Sequence, residues 1–158
     1  MSDATAWISA GASVVSAVAT VVAAGGVLLA YKQLVTTKEI FQLQFEDGLA
    51  KEYRELAGKL PPRALLGKPL SELEYKCAFD ELFHYIDLSN EQVSLRRNNR
   101  IGTVVWESWC EGIKTNLAQP AFKRAWSEVK GKSKSFQELR RLEREGYETD
   151  PLLWKETP

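Results

Sequence analysis

The sequence has few of the residues that carry metal or redox chemistry. Its 158 residues include one histidine, His84, and two cysteines, Cys77 and Cys110. The two cysteines lack metal-binding and redox spacing, so we expect them to be small apolar core residues in a reducing compartment. The sequence contains no nucleophile with a neighbouring base, no glycine-rich phosphate loop and no paired catalytic carboxylates. We therefore expect a non-enzymatic protein without a cofactor.

His84 has two acidic neighbours at helical spacing. Asp80 and Asp87 lie four residues before and three residues after it, so the three side chains share one face of a helix. A single helix supplies too few converging ligands for a divalent metal, and no second cluster completes the set. A solvated or hydrogen-bonded histidine is the simpler interpretation, and we predict no metal site.

Basic residues are absent from the first 31 positions, and residues 7–31 carry no charge at all. As a helix this segment is roughly 37 Å long, enough to cross a hydrocarbon core of about 30 Å. Trp7 and Tyr31 stand at its two ends, where amphipathic rings act as membrane-interface anchors. A signal peptide would need a basic N-terminal region, and a helix apolar on every face is unusual in a small soluble chain. Residues 1–31 are therefore predicted to form a transmembrane segment.

The charge distribution predicts the orientation of this span. All 21 Lys and Arg residues follow Tyr31, beginning at Lys32. The basic side of a membrane span lies in the cytoplasm, so we expect the N-terminus outside and the C-terminal domain inside. The net charge is zero, which does not favour bulk nucleic-acid binding.

Small residues recur at every fourth position of the predicted span. Such ridges let helix backbones approach closely in lipid, although small residues are also common in membrane helices generally. We predict a homo-oligomer that associates through Ala12, Ser16, Thr20 and Ala24.

Residues 32–60 are predicted to continue the membrane helix as a cytosolic stalk with one apolar stripe. The stripe could be covered by the domain of the same chain or by a second copy, and the sequence leaves both alternatives open. Its members follow one another at steps of three and four: Phe41, Phe45, Leu49, Tyr53, Leu56 and Leu60.

The rest of the chain is predicted to be a small bundle of about four helices, so the fold class is all-α. Residues 61–70 form a connector with two prolines, residues 71–146 form the cytoplasmic domain, and residues 147–158 form a tail without periodicity. Capping-box spacings at Ser71 and Ser135 predict the starts of two helices. In the helix predicted over 103–117, Trp109 is expected to be mostly buried.

A segment of three arginines and two asparagines lies at a predicted helix end. Guanidinium forks and side-chain amides at such a turn can bind a phosphate or a nucleotide. The alternative is that the basic residues complement the helix dipole while asparagine forms the turn. The candidate anion site consists of Arg96, Arg97, Asn98, Asn99 and Arg100.

The spaced aromatic residues resemble a known kind of protein. The segments FDELFHYIDLSNEQVSLRRNNRI, WESWCEGIK and PAFKRAW follow the apolar N-terminal run. This layout resembles small single-pass bacterial membrane proteins of unknown function. The resemblance implies an inner-membrane protein and assigns no catalytic residue. Proteins of similar layout also act as membrane effectors in antiphage systems, in which a cytosolic domain binds a nucleotide signal.

Two hypotheses follow for the function. The first is a membrane-anchored, non-enzymatic interaction or scaffold module. The second is a ligand-gated membrane effector whose cytosolic domain binds a nucleotide while the membrane helices respond.

Overall fold

The computed structural model describes the backbone of residues 2–155 and the side chains of residues 26–155. The protein is all-helical, with 78% helix and no strand in this part of the chain, as the sequence predicts. The described elements are α1 (Ser2–Ala57), α2 (Pro62–Leu65), α3 (Glu72–Arg97), α4 (Thr103–Ala118), α5 (Pro120–Lys132), α6 (Gln137–Arg144) and a 3-10 helix (Pro151–Leu153).

The chain divides into two compact units, Met1–Phe41 and Gln42–Pro158. The division falls inside α1 and inside the segment that the sequence assigned to a stalk. The reason lies in the stripe of that segment: Leu49 is only 6% exposed and belongs to the core of the second unit, whereas Phe41 is 58% exposed. The later part of the stripe is therefore covered by the same chain.

No helix segment with described side chains is both long enough and apolar enough to cross a bilayer. Most of the predicted span lies outside the residues whose side chains are described, and so do Trp7 and the ridge Ala12, Ser16, Thr20 and Ala24. The membrane prediction is therefore neither confirmed nor contradicted. Tyr31, the predicted anchor at the other end, is 66% exposed.

Helix α3 lies at the centre of the second unit. It packs against α5, α6 and the 3-10 helix, while α4 packs against α5. The buried residues of α3 recur at helical spacing. They form the surface against which the neighbouring helices pack. The largest fully buried side chains of the unit include Leu82, Ile86, Phe122, Leu139 and Leu142.

The predicted capping box at the start of α3 is confirmed. The Ser71 hydroxyl accepts a hydrogen bond from the Glu74 backbone N–H, and the Glu74 carboxylate accepts one from the Ser71 backbone N–H at 2.8 Å. Two of the N–H groups that a helix start leaves unpaired are thereby satisfied.

The second predicted capping box is wrong. Phe136, not Ser135, precedes α6, and it adopts a left-handed backbone with φ of 63° and makes no side-chain cap. The Glu138 carboxylate, which the box would direct to the backbone, accepts a hydrogen bond from Arg97 at 2.7 Å. A tertiary ion pair has replaced the local cap.

The prediction that Trp109 is mostly buried is confirmed, although it is not the most buried tryptophan of α4. Trp106 is the buried tryptophan of α4, at 3% exposure, and it lies in line with Cys110, Ile113 and Leu117. Trp109 lies beside this stripe and packs against the core with intermediate exposure. Cys110 is buried as expected, whereas Cys77 is exposed.

Candidate functional site

The predicted anion site begins with Arg96, which the structure places inside the domain. The side chain is 2% exposed, and four of its five N–H groups donate hydrogen bonds. The acceptors are both carboxylate oxygens of Asp150, the Ile101 carbonyl at 2.8 Å and the Thr103 hydroxyl at 3.1 Å. Arg96 is thus already paired, and its observed role is structural.

Asp150 supplies the negative charge that makes burial of Arg96 tolerable. The hydrogen bond from Arg96 holds the pKa of the Asp150 carboxyl below its ordinary value, against the opposing effect of burial, and the Leu152 backbone N–H contributes in the same direction. The same carboxylate caps the 3-10 helix. The pair therefore attaches the segment after α6 to the end of α3, which the tail's lack of periodicity could not indicate.

The remaining residues of the predicted anion site also have partners or backbone roles. Arg97 binds Glu138, the Asn98 amide donates to the Ser94 carbonyl at 2.8 Å, and Asn99 adopts a left-handed φ of 56°. The Arg100 guanidinium lies over the Phe45 ring, 5.4 Å from its centroid. These contacts fit the alternative in which the segment forms a helix end and a turn. Anion binding here stays a prediction.

His84 lines a polar depression of about 290 Å³ together with Asp87 and residues of α1 and α3 that include Glu52, Glu55 and Glu91. Over residues 26–155, no group of three or more His, Cys, Asp or Glu side chains is arranged to hold a metal ion. Asp80 is not among the residues that line the depression.

A different site lies between the second half of α1, α3 and α4. This aromatic cleft has a volume of about 360 Å³, within the range of small-molecule sites. The residues that give it chemical character are Tyr53, Arg54, Tyr85, Gln92, Trp109 and Asn116. All of them belong to the second compact unit.

Two tyrosines and an asparagine form the polar framework of the aromatic cleft. The rings of Tyr53 and Tyr85 meet edge to face with centroids 6.3 Å apart. The Asn116 amide donates a hydrogen bond to the Tyr85 hydroxyl oxygen at 3.0 Å. Burial raises the pKa of Tyr85 to about 12, so the phenol is neutral at physiological pH.

Gln92 is the unusual residue of the aromatic cleft. The side chain is only 6% exposed, yet its amide makes no hydrogen bond to any residue with described side chains. The amide is not among the polar atoms that are fully sealed from solvent, so it borders the space of the cleft. The amide therefore faces the cleft with one acceptor and two donors available.

Gly112 lines the aromatic cleft on the side of α4. A Cβ atom built there would meet no atom within 4 Å, so packing does not require glycine at this position. Glycine inside a helix costs about 1 kcal/mol relative to alanine. Glycine at this position therefore adds no side chain to the cleft, although alanine would make α4 more stable.

The sequence did not predict the aromatic cleft, because side chains from three different helices form it and local periodicity does not show how those helices pack. Only two sequence features could have indicated the cleft. One is the glycine inside the tryptophan-bearing helix α4, and the other is the polar Gln92 directly before the core residue Val93. Comparison of the chain with protein-family models, curated proteins and solved structures returned no match.

Proposed function

We propose that this chain is a single-pass protein of the bacterial inner membrane. In this proposal residues 7–31 span the bilayer, and the helical domain is a non-enzymatic interaction module in the cytoplasm. Copies of the chain associate side by side through α1. The uncharged run and the basic residues that begin at Lys32 support the anchor and its orientation.

The observation that carries the self-association proposal is the exposed apolar surface of α1 between Val27 and Phe41. Val27, Leu34 and Phe41 follow at steps of seven residues and are all more than half exposed. Tyr31 lies between the first two, so the positions alternate at steps of four and three, which is the spacing of a coiled-coil seam. A second α1 helix would cover these side chains.

One position of this coiled-coil seam is polar. The same spacing also continues, in the sequence, into the predicted membrane span. Lys38 occupies the position of the coiled-coil seam that follows Leu34. A single lysine at such a position can specify the register and the oligomer number at some cost in stability. By sequence spacing alone, Ala24 and Thr20 continue the same steps of three and four. The C-terminal half of the predicted small-residue ridge, Thr20 and Ala24, is therefore in phase with the exposed seam.

Disulfide crosslinking in native membranes tests the seam. In a Cys77→Ser background, which removes the exposed thiol, Leu34→Cys or Phe41→Cys should give crosslinked dimers on mild oxidation, because seam positions approach within disulfide range. Thr36→Cys is the matched control, since Thr36 is also exposed but lies on the opposite face of the helix. Equal crosslinking at positions 34 and 36, or no dimer at native expression, would contradict the proposal.

A reporter fused after Pro158 tests the orientation separately. We expect activity from a reporter that works in the cytoplasm and none from one that works in the periplasm. The reverse result would overturn the proposed topology.

The ligand-gated effector is the second candidate, and the aromatic cleft is the observation that favours it. Tyr53 and Arg54 belong to α1, so a molecule in the cleft would contact the helix that carries the proposed anchor. Membrane depolarisation on expression, measured with a voltage-sensitive dye, should then occur only when a nucleotide signal is supplied. Depolarisation that is independent of the signal would contradict this candidate.

A further inference from the structure

We propose that the aromatic cleft binds a planar aromatic heterocycle that carries a negatively charged group, of which a nucleoside monophosphate is the simplest class. The proposal concerns a site distinct from Arg96 to Arg100 and does not depend on self-association through α1. It rests on four features of the cleft: its walls, the Gln92 amide, the Arg54 charge and the space beside Gly112.

The walls favour a flat, unsaturated molecule. Trp109, Tyr53 and Tyr85 line a space of about 360 Å³. Tyr53 and Trp109 are the more accessible rings, since Tyr85 is only 3% exposed. Aromatic side chains bind planar heterocycles by stacking, because both partners present a π face. A saturated ligand would gain burial but not this contact.

Gln92 favours a ligand with a hydrogen-bond donor and an acceptor side by side. Its amide carries both functions and has no partner among the described residues, although the side chain is more than nine-tenths buried. A primary amide pairs with the adjacent donor and acceptor of a nucleobase edge in a planar, bidentate arrangement. The Asn116 amide is less available, since its NH₂ group already donates to Tyr85.

Arg54 supplies a positive charge at the side of the aromatic cleft formed by α1. It forms no ion pair with a carboxylate in the described part of the chain, and its side chain is exposed. A guanidinium binds a phosphate through two parallel hydrogen bonds. The exposed Arg54 charge and the buried Gln92 amide therefore provide the two kinds of contact, one for a phosphate and one for a base, that a nucleoside monophosphate needs.

Gly112, which lines the cleft, has no side chain to occupy its space. A larger side chain at this position would enter the cleft without touching another atom at its Cβ. The position therefore allows the cleft to be filled by substitution without a steric clash at the backbone.

Isothermal titration of the full chain in detergent micelles tests the proposal. The probes are the 5′-monophosphates of adenosine, guanosine, cytidine and uridine, each nucleoside without its phosphate, and ribose 5-phosphate. At least one monophosphate should bind with a Kd below about 1 mM. The matching nucleoside should bind more weakly, and ribose 5-phosphate should not bind.

Three substitutions test the free space, the amide and the charge of the cleft separately. Gly112→Leu should abolish binding, while Gly48→Leu is the matched control: Gly48 also lies inside a helix with nothing within 4 Å of its Cβ, but it does not line the cleft. Gln92→Leu should weaken nucleotide and nucleoside alike by at least about tenfold. Arg54→Gln should weaken the monophosphate toward the affinity of its nucleoside and leave the nucleoside unchanged.

Thermal melting of each variant separates loss of binding from loss of fold. We expect Gly112→Leu and Gln92→Leu to melt no lower than the parent chain, because neither change removes a protein contact. The proposal is overturned if no monophosphate binds, if ribose 5-phosphate binds as well as the nucleotides, or if binding survives Gly112→Leu.

Discussion

The substitution Asp150→Asn tests the buried ion pair that the structure reveals. It removes the charge that compensates Arg96, whose side chain is almost fully buried, and leaves the guanidinium with only the Ile101 carbonyl, the Thr103 hydroxyl and a neutral amide. Breaking a buried pair by removing one partner costs about 3–5 kcal/mol. Because Asp150 is about one-quarter exposed, water can partly compensate, and we expect a loss of about 3 kcal/mol, at the lower end of that range.

Thermal unfolding of the full chain, followed by tryptophan fluorescence in micelles, measures the effect. A loss of this size should lower the melting temperature by about 10 °C for a domain of this length. Glu148→Gln is the matched control, because Glu148 is exposed, lies two residues away and forms no ion pair among the described side chains. It should change stability by less than about 0.5 kcal/mol.

The pH dependence gives an independent check of the same pair. The folded pKa of Asp150 lies below its unfolded value, so the ionised form stabilises the fold at neutral pH, and this contribution is lost as the pH falls below about 4. The difference between parent and Asp150→Asn should therefore shrink in acid. A difference that persists unchanged below the folded pKa would refute the electrostatic explanation.

Three further predictions concern packing and ionisation. Gly112→Ala should raise stability by about 0.5–1 kcal/mol in urea unfolding. Gly102→Ala should lower it, because Gly102 is the N-cap residue of α4, a position where alanine is less favourable than glycine. Trp106→Ala should cost about 3–5 kcal/mol and Trp109→Ala clearly less; equal losses would show that the burial of the two is misassigned. Above about pH 10, stability should fall as buried phenols ionise, since a raised folded pKa stabilises only the neutral form; an ultraviolet titration should show three late-ionising tyrosines. They are Tyr75, Tyr85 and Tyr147, each with its pKa raised to about 12.

Helix starts that depend on neighbouring residues could be read from the sequence. Ser71 and Glu74 form their capping box because both partners lie within one turn. The same spacing at Ser135 forms no box, because α6 begins after Phe136 and the Glu138 carboxylate pairs with Arg97, 41 residues earlier. Local spacing predicts a cap only when no distant charge offers a stronger partner.

The two candidate sites, the arginine–asparagine segment and the aromatic cleft, also depend on contacts between residues far apart in the chain. Arg96 looked available in the sequence, since nothing in its neighbourhood suggests Asp150, which lies 54 positions later. The aromatic cleft was invisible, because periodicity places residues on a helix face but does not say which faces leave a gap between them. The distinction between Trp106 and Trp109 depended on a rotation of α4 that only its packing sets.

The sequence alone determined that the chain is helical, where its polar and apolar stretches lie, and that its basic residues all follow one uncharged run. These features arise from backbone propensity and side-chain period, which act over a few residues. The tertiary structure alone decided that the apolar stripe is exposed at Phe41 and Tyr53 but buried at Leu49, Leu56 and Leu60. It also decided that Arg96 pairs with Asp150 and that Gln92 lines an open cleft. Each of these depends on contacts between residues far apart in the chain, and such contacts form only when the helices pack.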